Sequence, residues 1–166
     1  MTSDIAIRPF GRADVAAFRA LRLEALISHP DAFGSAAADE ALLPDEAVAA
    51  RMAGGDTFGA FDREQLVGMA GFMVHAGRKR RHKGMLWGVY VRPAWRGRGL
   101  AAALVDRVLA HAAGRVELVQ LSVVVGNKSA RRLYESRGFT AYGTETHSLK
   151  LPDGYVDELL MVRFLT

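Results

Sequence analysis

Residues 87–101 run Trp-Gly-Val-Tyr-Val-Arg-Pro-Ala-Trp-Arg-Gly-Arg-Gly-Leu-Ala, a β-branched strand carried through a glycine-bearing turn directly into an apolar helix. That junction fixes a strand end, a tight turn and a helix start within one short segment. Val89, Tyr90 and Val91 favour the extended state, and Pro93, with no N–H to donate, stops the strand and biases Arg92 toward extended geometry. Gly97 and Gly99 let the chain turn sharply with no Cβ between backbone and ligand. Leu100, Leu104 and Val108, four apart, mark the inner face of the helix that follows. Its first N–H groups have no intrahelical partner, and the helix dipole places about half a positive charge there, so a phosphate or pyrophosphate is the expected occupant. Arg96 and Arg98 add full positive charge.

A second constellation lies downstream. The β-rich run 118–125 is broken by Gly126 and Asn127, and the chain continues Asn127-Lys128-Ser129-Ala130-Arg131-Arg132-Leu133-Tyr134. Asn127 suits a helix cap, and the spacing predicts that Asn127, Ala130 and Tyr134 share one helical face, with the small Ala130 leaving room for a ligand. Gly138 and Phe139 predict an αL cap followed by an apolar residue that packs back.

Together these segments resemble the GNAT superfamily of N-acetyltransferases, enzymes that move an acetyl group from acetyl-CoA to an amine. Arg96-Gly97-Arg98-Gly99-Leu100-Ala101 fits that family's pyrophosphate pattern of Gln or Arg, two residues, Gly, one residue, then Gly or Ala. Val89-Tyr90-Val91 fits the strand that pairs with the pantetheine arm. Asn127, Ala130, Leu133, Tyr134 and Gly138-Phe139 fit the later cofactor-contacting helix. The resemblance implies an α/β fold (α+β by some schemes): a mixed, mostly antiparallel central sheet with a splayed parallel strand pair and flanking helices, one domain over residues 1–166. It implies acetyl-CoA as cosubstrate, held by Val89, Tyr90, Val91, Arg96, Gly97, Arg98, Gly99, Leu100, Ala101, Ala102, Asn127 and Ala130, with a backbone N–H of residues 89–91 against the thioester carbonyl. Tyr134 takes the family's role of protonating or hydrogen-bonding the departing thiolate.

Composition agrees. A chain of 166 residues, half of them hydrophobic, has the length of one domain with a real core. No apolar run approaches the length of a membrane span, and Met1 opens no signal segment. With no cysteine, disulfides, thiol catalysis and Cys-ligated zinc are excluded, and a cytoplasmic location is expected. The five histidines show no metal spacing, so no metal is expected. A net charge of +4 suits a polyanion such as CoA.

The expected elements alternate along the chain. A strand at Ile5 and Ile7 precedes a helix Val15–Ser28 capped by Asp14, with Phe18, Leu21 and Ala25 on its inner face and His29-Pro30 ending it. A polar, alanine-rich stretch leads to a helix beginning near Pro44. Residues 58–61 and 66–74 form a hairpin around Asp62-Arg63-Glu64-Gln65. After the basic run Arg78-Lys79-Arg80-Arg81-His82-Lys83, expected as a solvated hairpin tip, come the Val89 strand, its helix, the Leu118 strand, the Tyr134 helix, a strand from Thr140 and a last strand over 157–164.

Direct transfer follows from the missing cysteine. The attacking amine must be neutral, and an alkylammonium with a pKa of about 10.4 is only about 0.1% deprotonated at pH 7, so a base or water chain is expected. Glutamates that often serve this purpose in the family are here Trp87 and Ser122. Glu24, Ser122, Asp157 and Glu158 are therefore the candidates for binding or deprotonating the amine, against the plainer readings of Glu24 as a solvent-facing residue and of Asp157 and Glu158 as a strand entrance. Trp87 and Trp95 read as packing residues.

The expected acceptor is a primary amine of a small molecule or amino acid. The alternatives are a protein amino group, or a non-catalytic CoA-binding sensor. Dimers are common among similar proteins, though no segment here marks an interface. Gly97, Gly99 and Ala102 also satisfy a dinucleotide fingerprint, with Glu117 near the ribose-binding offset, but residues 92–96 intervene where that fingerprint should follow its strand at once. The basic run lacks interleaved aromatics, which disfavours nucleic acid.

Overall fold

In the computed structural model, which describes residues 4–166, the two periodicities of the sequence separate into a seven-stranded sheet and five α-helices. Met1, at which no signal segment is expected, lies outside that range. The strands are β1 (Ile5–Pro9), β2 (Thr57–Asp62), β3 (Gln65–Val74), β4 (Lys83–Val91), β5 (Leu118–Val124), β6 (Thr140–Leu151) and β7 (Gly154–Phe164). The helices are α1 (Val15–Ser28), α2 (Ala37–Ala41), α3 (Asp45–Ala53), α4 (Leu100–Ala112) and α5 (Lys128–Ser136). Strand order is β1-β2-β3-β4-β5-β7-β6, antiparallel everywhere except β4 beside β5. This is the mixed sheet with flanking helices expected from the sequence.

Helices cover both faces of the central strands, which accounts for β2 and β3 being nearly continuous apolar runs. On one face α4 buries Leu104, Val105 and Val108 against Phe58, Phe72, Leu86 and Val119. On the other, Phe18, Leu21 and Ala25 of α1 and Val48 and Met52 of α3 pack with Phe10, Phe61 and Met69. No helix among the described residues is long and apolar enough to cross a membrane.

Two departures position the site. The parallel pair holds register only from Lys83↔Leu118 to Met85↔Gln120, after which β4 and β5 part. Between the pairs Met69↔Tyr90 and Gly71↔Trp87, β4 also spends one residue more than β3, a bulge at Gly88 with φ +64°. The extra residue inverts the alternation: Trp87 and Tyr90, three apart, both join the α1 face, while Leu86, Val89 and Val91 join the α4 face.

Several expectations are corrected. Asp14 stands before α1 without capping it, because a 3-10 turn Arg12–Asp14 precedes the helix and turns the carboxylate back to accept from Gly11 N at 2.7 Å and from Arg8 Nη1 at 2.8 Å. The alanine-rich stretch contains the short α2. The last strand starts at Gly154 rather than Asp157, since the turn after Leu151 closes the β6–β7 hairpin at once. The basic run does form the β3–β4 turn, with Lys83 already in β4.

Candidate active site at the β4–β5 splay

Where β4 and β5 part, Gly88 and Val89 have no register partner on β3 and β5 is no longer alongside, so β4 offers its backbone to the gap. Below the strand end, the turn into α4 places Gly97 and Gly99 both at φ +76°, a left-handed conformation that glycine adopts without the steric cost a Cβ brings. A Cβ at either would meet nothing within 4 Å, so the backbone angle, not space, demands glycine. Ala103 N is the first α4 amide with a backbone acceptor, Gly99 O at 3.0 Å, and the amides of residues 97–102 find none among the described residues. A run of unspent donors at a helix start fits the pyrophosphate of CoA.

A cavity of about 480 Å³ joins these parts. Val89, Tyr90 and Val91 line it from β4, Arg96, Gly97, Gly99, Leu100, Ala101 and Ala102 from the turn and α4, and Asn127, Ala130 and Tyr134 from α5. Arg98 alone of the anticipated cofactor residues is absent from the lining, because its exposed side chain leaves the turn toward solvent. Asn127 also caps α5, its Oδ1 accepting from Ala130 N at 3.2 Å. Arg96 reaches back, donating from Nε to Val91 O at 2.8 Å. His29, which the sequence did not single out, lines the same cavity with Nε2 3.3 Å from Arg96 Nη2.

Tyr134 stands between this cavity and a second of about 650 Å³ on the α1 face. Its ring packs edge-on to Phe139, and burial alone pushes its phenol up to about 12, so the group is a neutral donor at pH 7.

The second cavity receives Ser122 from β5 and Glu158 from β7, two of the four anticipated amine-handling residues. Glu158 Oε1 accepts from Ser148 Oγ at 2.5 Å. The other two lie elsewhere. Asp157, the next residue on an alternating strand, turns to the opposite side and accepts from His147 N at 2.8 Å. Glu24 is not in the lining; its carboxylate accepts from Tyr90 Oη at 3.1 Å and Arg92 Nε at 3.0 Å, fastening α1 to the end of β4. The plain solvent-facing reading of Glu24 is thereby also replaced. Burial and the bond to Glu24 raise the Tyr90 phenol, so that hydroxyl is a committed donor.

Sequence reasoning missed the charged wall of the second cavity, Arg22, Glu40 and Arg51, and the Phe33 beside it, with Trp87 a wall as well as a packing residue. The signal was present for Arg22, which falls within the 18, 21, 22, 25 stripe of α1. Among the described residues no group of three or more His, Cys, Asp or Glu is placed to hold a metal ion.

The sequence profile of the Acetyltransferase (GNAT) family matches residues 18–139. No curated protein sequence matches the chain. Among solved structures, an acetyltransferase of the GNAT family from Streptococcus pneumoniae is similar with a TM-score of 0.84 at 25% identity, covering 97% of this chain and 99% of that one. The Salmonella typhimurium protein yncA, solved with its cofactor acetyl-CoA, gives a TM-score of 0.85 at 22% identity over 99% of this chain and 95% of that one. The ribosomal-protein-alanine N-acetyltransferase from Brucella melitensis gives 0.82 at 24% identity over 96% and 99%.

Proposed function

The chain belongs to the GNAT acetyltransferase family and is an acetyl-CoA-dependent transferase, and from that premise we propose that it acetylates the primary amine of a small molecule or amino acid by direct transfer. The observation that carries the reading is the splay: two cavities, one backed by unspent N–H donors and the other by Ser122 and Glu158, meet at Tyr134. Acetyl-CoA supplies the activated acyl group as a thioester.

The chain's own residues then divide the work. Amides of residues 97–102 hold the pyrophosphate, and a backbone N–H of β4 at the splay, within residues 89–91, donates to the carbonyl oxygen as negative charge develops there. Glu158, or a water held by Ser122, takes a proton from the ammonium so that its nitrogen can attack. The C–N bond forms as the C–S bond breaks. A phenol near 12 holds its proton more tightly than a thiol near about 8.5, so Tyr134 stabilises the leaving thiolate chiefly by donating a hydrogen bond, and the proton given up by the amine completes the thiol. No cysteine is present to carry the acetyl group in between. A single domain in the cytoplasm accords with this reading.

Calorimetric titration with acetyl-CoA, with NAD as comparison ligand, tests the cofactor half; thiol release with a panel of primary amines tests the transfer. Selective acetyl-CoA binding followed by amine-dependent thiol release is expected. Binding of NAD alone would overturn the assignment of the glycine turn.

A further inference from the structure

Arg22 is a charged residue in a place where an apolar one would serve packing better. It sits in the buried stripe of α1, its side chain only 7% exposed. One hydrogen bond is made, Nη2 donating to Ser35 Oγ at 3.2 Å, and Nε and Nη1 have no acceptor among the described residues. A guanidinium carries five N–H donors, and a buried, half-satisfied cation is costly where a hydrophobic residue of similar volume is often neutral or stabilising. Its nearest carboxylate is shared. Glu40, 10% exposed, lies 3.6 Å from Arg22 Nη2 and accepts from Arg51 Nη1 at 3.2 Å, so two guanidinium groups divide one negative charge. Burial lowers the Arg22 pKa, with Glu40 opposing and Arg51 assisting.

The cluster is aimed at the reaction gap. The Arg22 guanidinium lies 5.4 Å from the Trp87 ring and 5.7 Å from the Phe33 ring, and the Arg51 guanidinium lies 5.8 Å from the same Trp87 ring. Arg22 Nη1 lies 3.4 Å from where a Cβ would stand on Gly88, the bulge that turns β4 toward the splay. The remaining acids of the cavity are placed differently. Asp56 is spent on His111 at 2.7 Å and Arg115 at 2.8 Å, while among the described residues Glu158 accepts from the Ser148 hydroxyl alone. The cavity therefore has surplus donors beside β4 and a surplus acceptor on β7. Between β4 and β7 stands β5, from which β4 has already parted, and the apolar walls come from Met73 on β3 and from Met85 and Trp87 on β4.

We propose that the acceptor is a free α-amino acid with an apolar side chain, its carboxylate received by Arg22 and Arg51 in exchange for the Ser35 contact and its amine turned toward Glu158 and Ser122. The assignment rests on the acetyl-transfer reading and adds the substrate class. Glu40 then acts as the internal counter-ion that keeps both guanidinium groups in place while the site is empty. A protein N-terminus, which carries its amine without a carboxylate at that distance, does not satisfy the cluster.

The test is thiol release with methionine, leucine, phenylalanine and tryptophan, each beside its decarboxylated amine and its carboxamide. The expected result is kcat/KM higher for the carboxylate member by about tenfold or more, the weight of one charge-assisted hydrogen bond. Arg22→Lys and Arg51→Gln should each shrink that preference by raising KM, with the Kd for acetyl-CoA unchanged. Arg51, a third exposed, supplies a variant that folds if Arg22→Lys does not. Equal or better turnover of the amines and carboxamides overturns the proposal, as does a preference left intact in both variants, or turnover of a peptide N-terminus alone. Acetyl-CoA binding with no member of any pair acetylated overturns it while leaving the transferase reading; failure to bind acetyl-CoA removes both.

Discussion

Tyr134 and Asp14 show how far one side chain can be read. Tyr134 keeps its proton through burial, and Tyr134→Phe removes only the hydroxyl; turnover should fall by about 10²-fold with the acetyl-CoA Kd almost unchanged, as steady-state kinetics beside calorimetry would show. Asp14 is held below its ordinary 3.8 by the Arg8 hydrogen bond, against the cost of burial and with help from Gly11 N–H. A depressed carboxylate contributes stability above its unfolded pKa and loses it as pH falls through the folded value. Asp14→Asn should therefore lower the thermal midpoint at pH 7, and the gap between the two proteins should narrow in melts taken at successively lower pH below 3.8. Local signals such as the Asn127 cap were legible in sequence because their partners lie within three residues. Arg22 was not, because its meaning depends on Glu40, Arg51 and Trp87, which the sheet and two further helices bring to it.

Elements were legible where their periodicity was long. α1, α4 and the β2–β3 hairpin fall where apolar spacing puts them, whereas α2, five residues with no buried side chain, leaves no periodic trace. The opening of β7 was obscured because Tyr155 and its neighbours are exposed and carry no alternation. The β4 bulge was equally hidden, since one extra residue is visible only against the partner strand. β3 accommodates it by bringing Gly71 under the indole: a Cβ there would stand 2.1 Å from the Trp87 ring. Gly71→Ala should cost about 1–3 kcal/mol in urea unfolding and, by displacing Trp87, raise the acceptor KM more than the acetyl-CoA Kd.

For the molecule as a whole, a ligand seated in the splay bridges two parts of the sheet that Met85 and Gln120 are the last to hold together. Acetyl-CoA at about 100 times its Kd should stabilise the fold by about 2.7 kcal/mol, a rise of about 5–10 °C in Tm by scanning calorimetry. NAD should give no rise. Gly99→Val, strained at φ +76°, should lose most of the shift with acetyl-CoA. The bulge at Gly88 also has an evolutionary side. Met85, Leu86 and Trp87, before it, line the acceptor-side cavity; Tyr90 and Val91, after it, line the cofactor cavity; Val89 lines both. Mutation before the bulge can then alter one cavity with little effect on the other, whereas deleting that single codon would restore strict alternation and turn Val89, Tyr90 and Val91 to the opposite sheet faces.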